Sequence, residues 1–439
     1  MEKKTKIVNF IKALIIIVLA VFITIGLSKL LVLKSEDGIN QFDALYDHPD
    51  NSIDVIFLGS SLVYCDISTG VLWDNHGLAA FDLGGAEAPA WVSYYQLKEA
   101  LRTQRPKVIC YEVSIAGKYP MLTQSDEWSS DNAYGMKWNS NRIDQLKINS
   151  KEDEFLTRID PFNIMHGRYK DLKENDFTNT RATANYKGFD PREEVVDMEV
   201  PDVVTEVEAV PCSEKAEEYT RKIIELAKSE NIPIVLFQSP QDITESERQV
   251  GKYMEGIAGS EGVPYIDFNY RYDDIGLDFS RDMSSGHHLS YTGNYKFSDY
   301  FGKILKEMYD IPDRRGDSRY ISWEWDSARQ RCERNDLLLK DVENAGEIMN
   351  MTQSGYIVFV VSNEKACIFD DGEVVAEGEN DFRLVYESGD DTFILSRKTL
   401  KGNDLISLYI NDEEHLEFYG NILFVYDKVR HEYIKSLYF

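Results

Sequence analysis

Short runs of apolar residues alternate with amphipathic stretches from about residue 53 to residue 309. The apolar runs are rich in Ile and Val and are bounded by Gly, Pro or polar residues, which is typical of buried parallel strands. Strands that alternate with helical patterns predict a doubly wound, parallel α/β sheet. The predicted strands are Ile53–Leu58, Ala80–Leu83, Lys107–Val113, Ile232–Phe237 and Val263–Phe268, and the predicted helices are Ala90–Thr103, Ser213–Ser229 and Tyr291–Tyr309.

The alternation stops between Ile115 and Val210, directly after the third predicted strand. This insertion is rich in Trp, Tyr, Asn, Asp and Glu, and it leaves the sheet at the edge where ligands bind in open α/β folds. It is expected to form either a cap over a site or an irregular, solvated excursion. Within it, His166 and Arg168 stand beside aromatic residues, and such a pair either contacts a sugar or acyl group or has a purely structural role.

From about residue 321 the pattern changes to short strands that are separated by turn residues. A helical stretch near Leu337–Met351 comes first, and the last hairpin is expected to turn near Lys428–Arg430. Residues 321–439 are therefore predicted to form a smaller, mostly-β accessory domain, whose default role is binding or packing because it contains no obvious reactive constellation. Residues 36–320 then make up the α/β domain, including its insertion.

The first 35 residues combine lysines with a long apolar segment. Four lysines precede Ala13–Leu33, which is long enough to cross a bilayer as a helix. Basic residues on the amino side place the N-terminus in the cytoplasm and the bulk of the chain outside the cell. Residues 1–35 are therefore predicted to be an uncleaved, single-pass signal anchor in the cell membrane, and a cleaved signal peptide is the alternative.

Charge and cysteine content exclude some classes of function. The 439 residues carry a net charge of −28, whereas binding of nucleic acid needs a basic surface, so no nucleic-acid partner is expected. The five cysteines are scattered without a CxxC pair, and nothing in their spacing suggests a zinc site.

The first predicted strand runs into Gly59, Ser60 and Ser61. Ligands bind at the carboxyl ends of strands in open α/β sheets, and a serine placed there is a candidate nucleophile if a base can reach it. Gly and Ser also favour turns and helix caps, so a purely structural turn is the alternative.

A candidate base lies in the loop between the last predicted strand and the closing helix. Among the seven histidines, only His287 and His288 occupy this loop, at the same edge of the sheet as Ser61. Adjacent side chains of an extended loop diverge, so one histidine at most is expected to serve as the base, and the pair is not expected to bind a metal. Asp282 lies close enough in sequence to orient His288 if the loop folds back. A polar surface loop with two exposed histidines is the alternative.

Four segments, taken in order, resemble the SGNH (GDSL-type) hydrolases. They are IDVIFLGSS, FDLGGAEAPAWVSYYQLKEAL, QRPKVICYEVS and GHHLSYTGNYKFSDYF, and the resemblance covers roughly residues 51–305. More narrowly, the chain is similar to membrane-anchored bacterial members akin to proteins that O-acetylate exopolysaccharides or D-alanylate teichoic acids. The segments SGYIVFVV and NILFVYDK resemble the tail domain that often follows in such proteins. The resemblance implies a flavodoxin-like parallel sheet.

The resemblance also implies roles for single residues. Ser61 matches the family nucleophile, and His288 matches the general base. The amide of Ser61, together with an amide of Gly84 or Gly85, would form part of an oxyanion hole.

Three positions depart from the family pattern. The aspartate expected three residues before the histidine is Ser285, so a triad needs Asp282 as a substitute, or the site works as a Ser–His dyad. The family's oxyanion asparagine has no clear match near Glu112, and Leu62 stands where membrane-anchored relatives often have His. Loss of the orienting acid lowers the rate about 10⁴-fold in the serine-protease example, so reduced or lost activity is part of the expectation.

The function implied by the resemblance is a membrane-tethered, extracytoplasmic serine acyl esterase or O-acyltransferase. It would act on an acylated cell-envelope glycan, or take another acyl donor, through an acyl-serine intermediate, and His166 and Arg168 would contact the substrate. No metal or organic cofactor is implied, and a membrane acyl-export protein is a candidate partner. The alternative is a catalytically impaired protein of the same fold that binds carbohydrate or helps to assemble the cell envelope.

Overall fold

The computed structural model describes residues 2–32, 39–115, 132–151, 154–178, 186–202, 204, 206–362, 365–400, 403–411 and 413–439. The chain divides into two compact units, Met1–Glu324 and Trp325–Phe439.

The helices and strands of the two units are as follows. The α-helices are α1 Glu2–Leu31, α2 Ile39–Asp47, α3 Ser61–Tyr64, α4 Thr69–His76, α5 Ala90–Ala100, α6 Ser140–Ile148, α7 Phe155–Arg158, α8 Pro161–Met165, α9 Glu174–Thr178, α10 Glu214–Ser229, α11 Glu245–Glu261, α12 Tyr272–Ile275, α13 Gly293–Met308, α14 Ile321–Lys340 and α15 Ala345–Met351. The 3₁₀ helices are His166–Lys170, Phe268–Tyr270, Ser285–His287 and Ser318–Tyr320. The strands are β1 Val55–Gly59, β2 Ala80–Gly84, β3 Val108–Glu112, β4 Ile234–Gln238, β5 Tyr265–Asp267, β6 Met283–Ser284, β7 His288–Leu289, β8 Tyr356–Val361, β9 Lys365–Asp370, β10 Glu373–Glu379, β11 Arg383–Ser388, β12 Asp391–Leu400, β13 Asn403–Ile410, β14 Glu413–Tyr419, β15 Ile422–Asp427 and β16 Glu432–Tyr438.

The first unit is built on a five-stranded parallel sheet with the strand order β2-β1-β3-β4-β5. Strands β1 to β4 are buried along their whole length, which explains why their sequences are almost continuous apolar runs. Ile56 and Leu58 of β1 pack in one core, whereas Val55 and Phe57 pack in a second core on the opposite face. Helices contribute to both cores. The predicted doubly wound, parallel α/β sheet is therefore confirmed.

The strand order creates a crevice beside β1. From β1 the chain moves outward to β2 on one side and later returns to β3 on the other, and ligands bind at such a switch in strand order. Gly59 ends β1 with φ +155°, and a Cβ atom on it would lie 2.8 Å from Cβ of Glu112 on β3. The close approach of the two strands therefore requires glycine at the point where the chain turns into α3.

The described part of the predicted insertion contains a layer of short helices, α6 to α9. Ala133, Leu146 and Met165 from this layer form a small core with Leu31 of α1 and Ile39 of α2. The layer is therefore a packed part of the first unit. Other parts of the predicted insertion lie outside the described residues, namely residues 116–131, 152–153, 179–185, 203 and 205.

Helix α1 is the one described helix that is long and apolar enough to cross a membrane, over Lys6–Leu31. Its apolar side chains from Ile7 to Ile25 are exposed. The N-terminal apolar helix predicted from the sequence is therefore present.

The second unit is mostly β, as predicted. It contains a five-stranded antiparallel sheet, β10-β9-β8-β15-β16, and a four-stranded antiparallel sheet, β11-β12-β13-β14. Phe359 of the first sheet and Phe393 of the second lie in one core with their ring centroids 5.5 Å apart. The last hairpin turns between Asp427 and Glu432, where the sequence predicts it.

Candidate active site

The turn after β1 gives its two serines different environments. Ser60 caps α3, because its Oγ accepts a hydrogen bond from the amide of Leu62 at 3.4 Å, and the residue is only 1% exposed. Ser61 is the first residue of α3 and remains partly exposed. The geometry therefore favours Ser61 over Ser60 as the serine that a ligand can reach.

A cavity of about 420 Å³ opens at the carboxyl ends of β1 and β3. A volume of this size is within the range of small-molecule sites. Ser61, His287 and His288 all line this cavity. No hydrogen bond joins the side chains of Ser61 and His288 within the described structure. Its walls are formed by Ser60, Ser61, Leu62, Tyr64, Ala86, Glu87, Ser114, Ile115, Arg192, Gln241, Glu247, Gly286, His287 and His288.

The carboxylate beside His288 is Asp66, a residue that was not predicted as part of the site. Asp66 Oδ1 lies 3.3 Å from His288 Nδ1 and accepts a hydrogen bond from the amide of Leu289 at 3.0 Å. Asp66 is fully buried, and His288 is 7% exposed. The two residues are 222 positions apart in the chain, so only the folded structure shows that they are neighbours.

The contact with Asp66 favours the tautomer of His288 in which Nδ1 carries the proton. When the carboxylate accepts the Nδ1 proton, the neutral imidazole carries its lone pair on Nε2, the nitrogen that a general base needs. Burial raises the pKa of Asp66 above its usual value, although the neighbouring His288, the Leu289 amide and the Arg192 charge all lower it. The same arrangement recurs in Ser-His-Asp sites on unrelated folds.

Asp282 does not take the orienting role that the sequence suggested for it. Its carboxylate accepts hydrogen bonds from Lys296 Nζ at 2.6 Å, Thr292 Oγ1 at 2.7 Å and the Asp278 amide at 2.7 Å. These contacts tie the loop before β6 to the start of α13. Because His288 contacts Asp66 instead, Asp282 is a structural residue of this loop, and the prediction is corrected.

The oxyanion-hole prediction also changes. The amide of Gly85 donates to the carbonyl oxygen of Gly59 at 3.2 Å, so it is not available to a substrate. A Cβ atom on Gly84 would lie 2.7 Å from the carbonyl oxygen of Ser60, which shows that this glycine is required for close packing beneath the turn. Neither glycine lines the cavity. The amide of Ser61 remains a candidate donor to an oxyanion, because the first amides of a helix have no partner within the helix.

His166 and Arg168 do not contact the cavity. The Arg168 guanidinium donates to the carbonyl oxygen of Leu31 at 2.5 Å and pairs with Asp176 at 2.6 Å. His166 Nδ1 lies 3.1 Å from the carbonyl oxygen of Asn163, and the histidine is exposed. Both residues belong to the helical layer beside α1, so their predicted contact with the substrate of this cavity is not supported.

A second histidine–carboxylate pair involves His287, which also lines the cavity. His287 Nδ1 lies 2.6 Å from Asp242 Oδ1, and both side chains are partly exposed. The backbone of His287 has φ +69°, a conformation that a residue with a side chain adopts rarely and that is often found at functional sites. His287 and His288 therefore present two separately oriented imidazoles to one cavity.

Two further buried carboxyl groups lie behind the site. Burial raises the pKa of Glu112 to about 7, although the Oγ and amide of Ser114 and the amide of Ser239 donate to its carboxylate and lower it. Burial, reinforced by the charge of Asp66, raises the pKa of Asp82 well above its usual value. Both oxygens of Asp82 lack a hydrogen-bond partner in the described structure, which fits a protonated, neutral group.

The described residues contain no group of three or more His, Cys, Asp or Glu side chains that could hold a metal ion.

No protein-family model matches the chain, and no curated protein matches it. Among solved structures, the chain is similar to a Bacteroides fragilis NCTC 9343 protein assigned as an acylhydrolase (TM-score 0.30, 11% identity, 60% of this chain and 90% of that chain). It is also similar to a GDSL-like lipase from Bacteroides thetaiotaomicron VPI-5482 (TM-score 0.28, 10% identity, 58% and 87%). A third match is a gut microbial diltiazem-metabolizing enzyme (TM-score 0.25, 10% identity, 82% and 57%). Similarities of this size carry no argument about function, which must come from the geometry of the site.

Proposed function

We propose that this protein is an SGNH-type serine acyl esterase or O-acyltransferase. The observation that carries the proposal is that Ser61 and His288 line one cavity and that Asp66 lies beside Nδ1 of the His288 imidazole. A partly exposed serine at the end of a central strand, a histidine and a buried carboxylate are the components of a nucleophilic acyl-transfer site.

The proposed reaction follows from these positions. Ser61 Oγ attacks the ester carbonyl carbon while His288 Nε2 takes the serine proton, and the Ser61 amide donates to the developing oxyanion. The C–O bond to the leaving alcohol then breaks, and the protonated histidine returns the proton to that alcohol. Water or a sugar hydroxyl next attacks the acyl-serine and gives its proton to His288, which protonates Ser61 as the acyl group leaves.

We further propose that the substrate is an acylated cell-envelope glycan and that the site lies outside the cell. The support is the family resemblance of the sequence together with α1, whose exposed apolar span would anchor the chain in the membrane. A cavity that is lined by serine, arginine, glutamate and histidine side chains suits a ligand rich in hydroxyl groups.

A second candidate function is a carbohydrate-binding protein with this fold and little or no turnover. Two observations favour it: the side chains of Ser61 and His288 share no hydrogen bond in the described structure, and Ser285 replaces the family's aspartate. An enzyme releases or transfers acetyl groups from an O-acetylated polysaccharide, whereas a binding protein binds the polysaccharide without turnover.

The test uses the purified full-length chain with an aryl acetate and with an O-acetylated polysaccharide. We expect release or transfer of acetyl groups by the wild type, and a loss of at least 10³-fold in kcat with Ser61→Ala. Ser229→Ala, at an exposed position at the end of α10, is the matched control and should keep wild-type activity. Binding of the polysaccharide without any turnover in the wild type would instead support the second function.

A further inference from the structure

The exposure of α1 changes abruptly near its carboxyl end. Apolar side chains from Ile7 to Leu27 are exposed, whereas Ser28 is 8% and Leu31 is 3% exposed. The stretch from Ile7 to Leu27 contains 21 residues and is therefore about 32 Å long as a helix, close to the hydrocarbon thickness of a bilayer, which is about 30 Å. The part of α1 that the protein leaves uncovered thus matches one membrane span, and the covered part begins where such a span would end.

Residues 155–178, which we call the collar, cover this end of α1 together with Ile39, Ala133 and Leu146. Ser28 Oγ lies 2.5 Å from Oδ1 of Asp160, at the start of α8. Arg168 donates to the last carbonyl of α1 and is itself held by Asp176. Because both ion-pair partners are largely buried, the collar is fixed at one height along the helix.

The collar also exposes three large apolar side chains. Leu156 is 75%, Phe177 is 67% and Tyr169 is 63% exposed. Lys170 Nζ lies 5.6 Å from the centroid of the Tyr169 ring, and an aromatic residue beside a lysine is a typical combination at the membrane–water interface. Exposed apolar groups on a segment that packs against the end of a membrane helix are best placed among lipid headgroups, where their burial is favourable.

We infer that the collar is a second membrane-contact surface, seated on the leaflet from which α1 emerges, with Leu156, Tyr169 and Phe177 in the interfacial layer. The inference rests on the membrane anchoring that is part of the proposed function. The collar would fix the distance of the α/β unit from the bilayer surface. Helix α1 alone would let the unit move relative to the bilayer, whereas the collar would hold it against the lipid.

The test places the photo-reactive residue p-benzoylphenylalanine at single positions of the full-length chain in liposomes that contain radiolabelled phosphatidylglycerol. The collar positions are 156, 169 and 177. Position 16 in the middle of α1 is the control for the anchor, and position 225, an exposed residue of α10, is the control for the rest of the unit. All five side chains are exposed, so the replacements displace no packed neighbour.

We expect lipid cross-linking at the three collar positions to exceed that at position 225 at least tenfold, and cross-linking at position 16 to be strong. Cross-linking at position 16 without cross-linking at the collar would overturn the inference and leave the anchor intact. Absence of cross-linking at position 16 would show that α1 does not span the bilayer, and would overturn the anchoring and the inference together. The acyl-transfer chemistry of the cavity is tested separately by the Ser61→Ala assay.

Discussion

At the scale of single residues, the site depends on which carboxylate orients His288. Asp66 is within hydrogen-bonding distance of Nδ1, whereas Asp282 is engaged by Lys296 and Thr292. A carboxylate in this position fixes the tautomer of the ring and stabilises the imidazolium that forms during the reaction. The two aspartates therefore offer a matched pair of variants.

Asp66→Asn should lower kcat of the esterase reaction by about 10²–10⁴-fold, because an amide that donates to Nδ1 favours the wrong tautomer of His288. Asp282→Asn should lower the melting temperature through the loss of its contacts with Lys296, while kcat at a temperature well below unfolding stays within about threefold. Steady-state kinetics and thermal unfolding of both variants check this. The reverse pattern would assign the orienting role to Asp282.

The buried carboxyl of Glu112 predicts a specific dependence of stability on pH. Its pKa rises from 4.5 to about 7 on folding, so the native state holds this proton more firmly than the unfolded state does. Its contribution to stability is complete below about pH 4.5, and it is lost as the pH rises through 7. The gap between the two pKa values corresponds to roughly 3 kcal/mol.

Glu112→Gln should therefore flatten the pH profile of the free energy of unfolding of the first unit. Glutamine keeps an acceptor for Ser114 but cannot ionise. Urea unfolding should show that the free energy of unfolding of the wild type falls, from pH 5 to pH 8, by about 2.5 kcal/mol more than that of the variant. Parallel profiles for the two proteins would contradict the assigned pKa.

Residue-level prediction from the sequence was limited to positions that belong to a pattern. The placement of Ser61 and His288 at one cavity could be predicted because each stands in a distinctive segment at the carboxyl edge of the sheet. Asp66 follows a single turn of helix and forms no motif, and its partner lies 222 residues away. Asp282 is the carboxylate that the sequence favours, because it is near His288 in the chain. In the folded structure its carboxylate pairs with Lys296 instead.

At the scale of elements, the turn from β1 into α3 positions Ser61, and Gly84 of β2 packs against this turn. A Cβ atom at position 84 would lie 2.7 Å from the Ser60 carbonyl oxygen and 2.9 Å from Cδ1 of Tyr64. Backbone cannot move aside as a flexible side chain can, so the turn itself must shift.

Gly84→Ala should therefore destabilise the first unit by about 1–3 kcal/mol and lower kcat by more than tenfold in the fraction that remains folded. Gly259→Ala, where nothing lies within 4 Å of the added atom, is the matched control; it should leave kcat unchanged and stabilise the unit by up to about 1 kcal/mol, because alanine favours a helix more than glycine does. Chemical unfolding and active-site titration separate the two effects. Full activity per folded molecule would show that the turn tolerates the shift.

Element prediction succeeded best for strands that are buried on both faces. Strands β1, β3 and β4 could be predicted because both of their faces are covered, which leaves a continuous apolar run. Helix α11 was missed, although the capping box of Thr244 and Glu247 was a usable signal. Strand β10 has no apolar run, since its sequence EVVAEGE is largely exposed.

At the scale of the whole molecule, the two units have separate cores. Phe393 is fully buried in the core of the second unit, next to Phe359. The candidate active site lies entirely in the first unit. Disturbing the second core should therefore leave the chemistry unaffected.

Phe393→Ala should cost about 3–5 kcal/mol and lower the thermal transition of the second unit, while esterase kcat at 20 °C stays within about twofold of wild type. Differential scanning calorimetry and kinetics check the two parts of this prediction. A parallel loss of activity would show that the second unit supports the site.

In the proposed reaction, Ser61 is a nucleophile that His288 activates. The most direct measurement is labelling of the full-length protein with a fluorophosphonate, followed by mass spectrometry of the modified peptide. We predict one phosphonyl adduct on Ser61 that is lost in Ser61→Ala, strongly slowed in His288→Gln and retained in Ser60→Ala. No adduct in the wild type, or an adduct on Ser60 that persists in Ser61→Ala, would contradict the account.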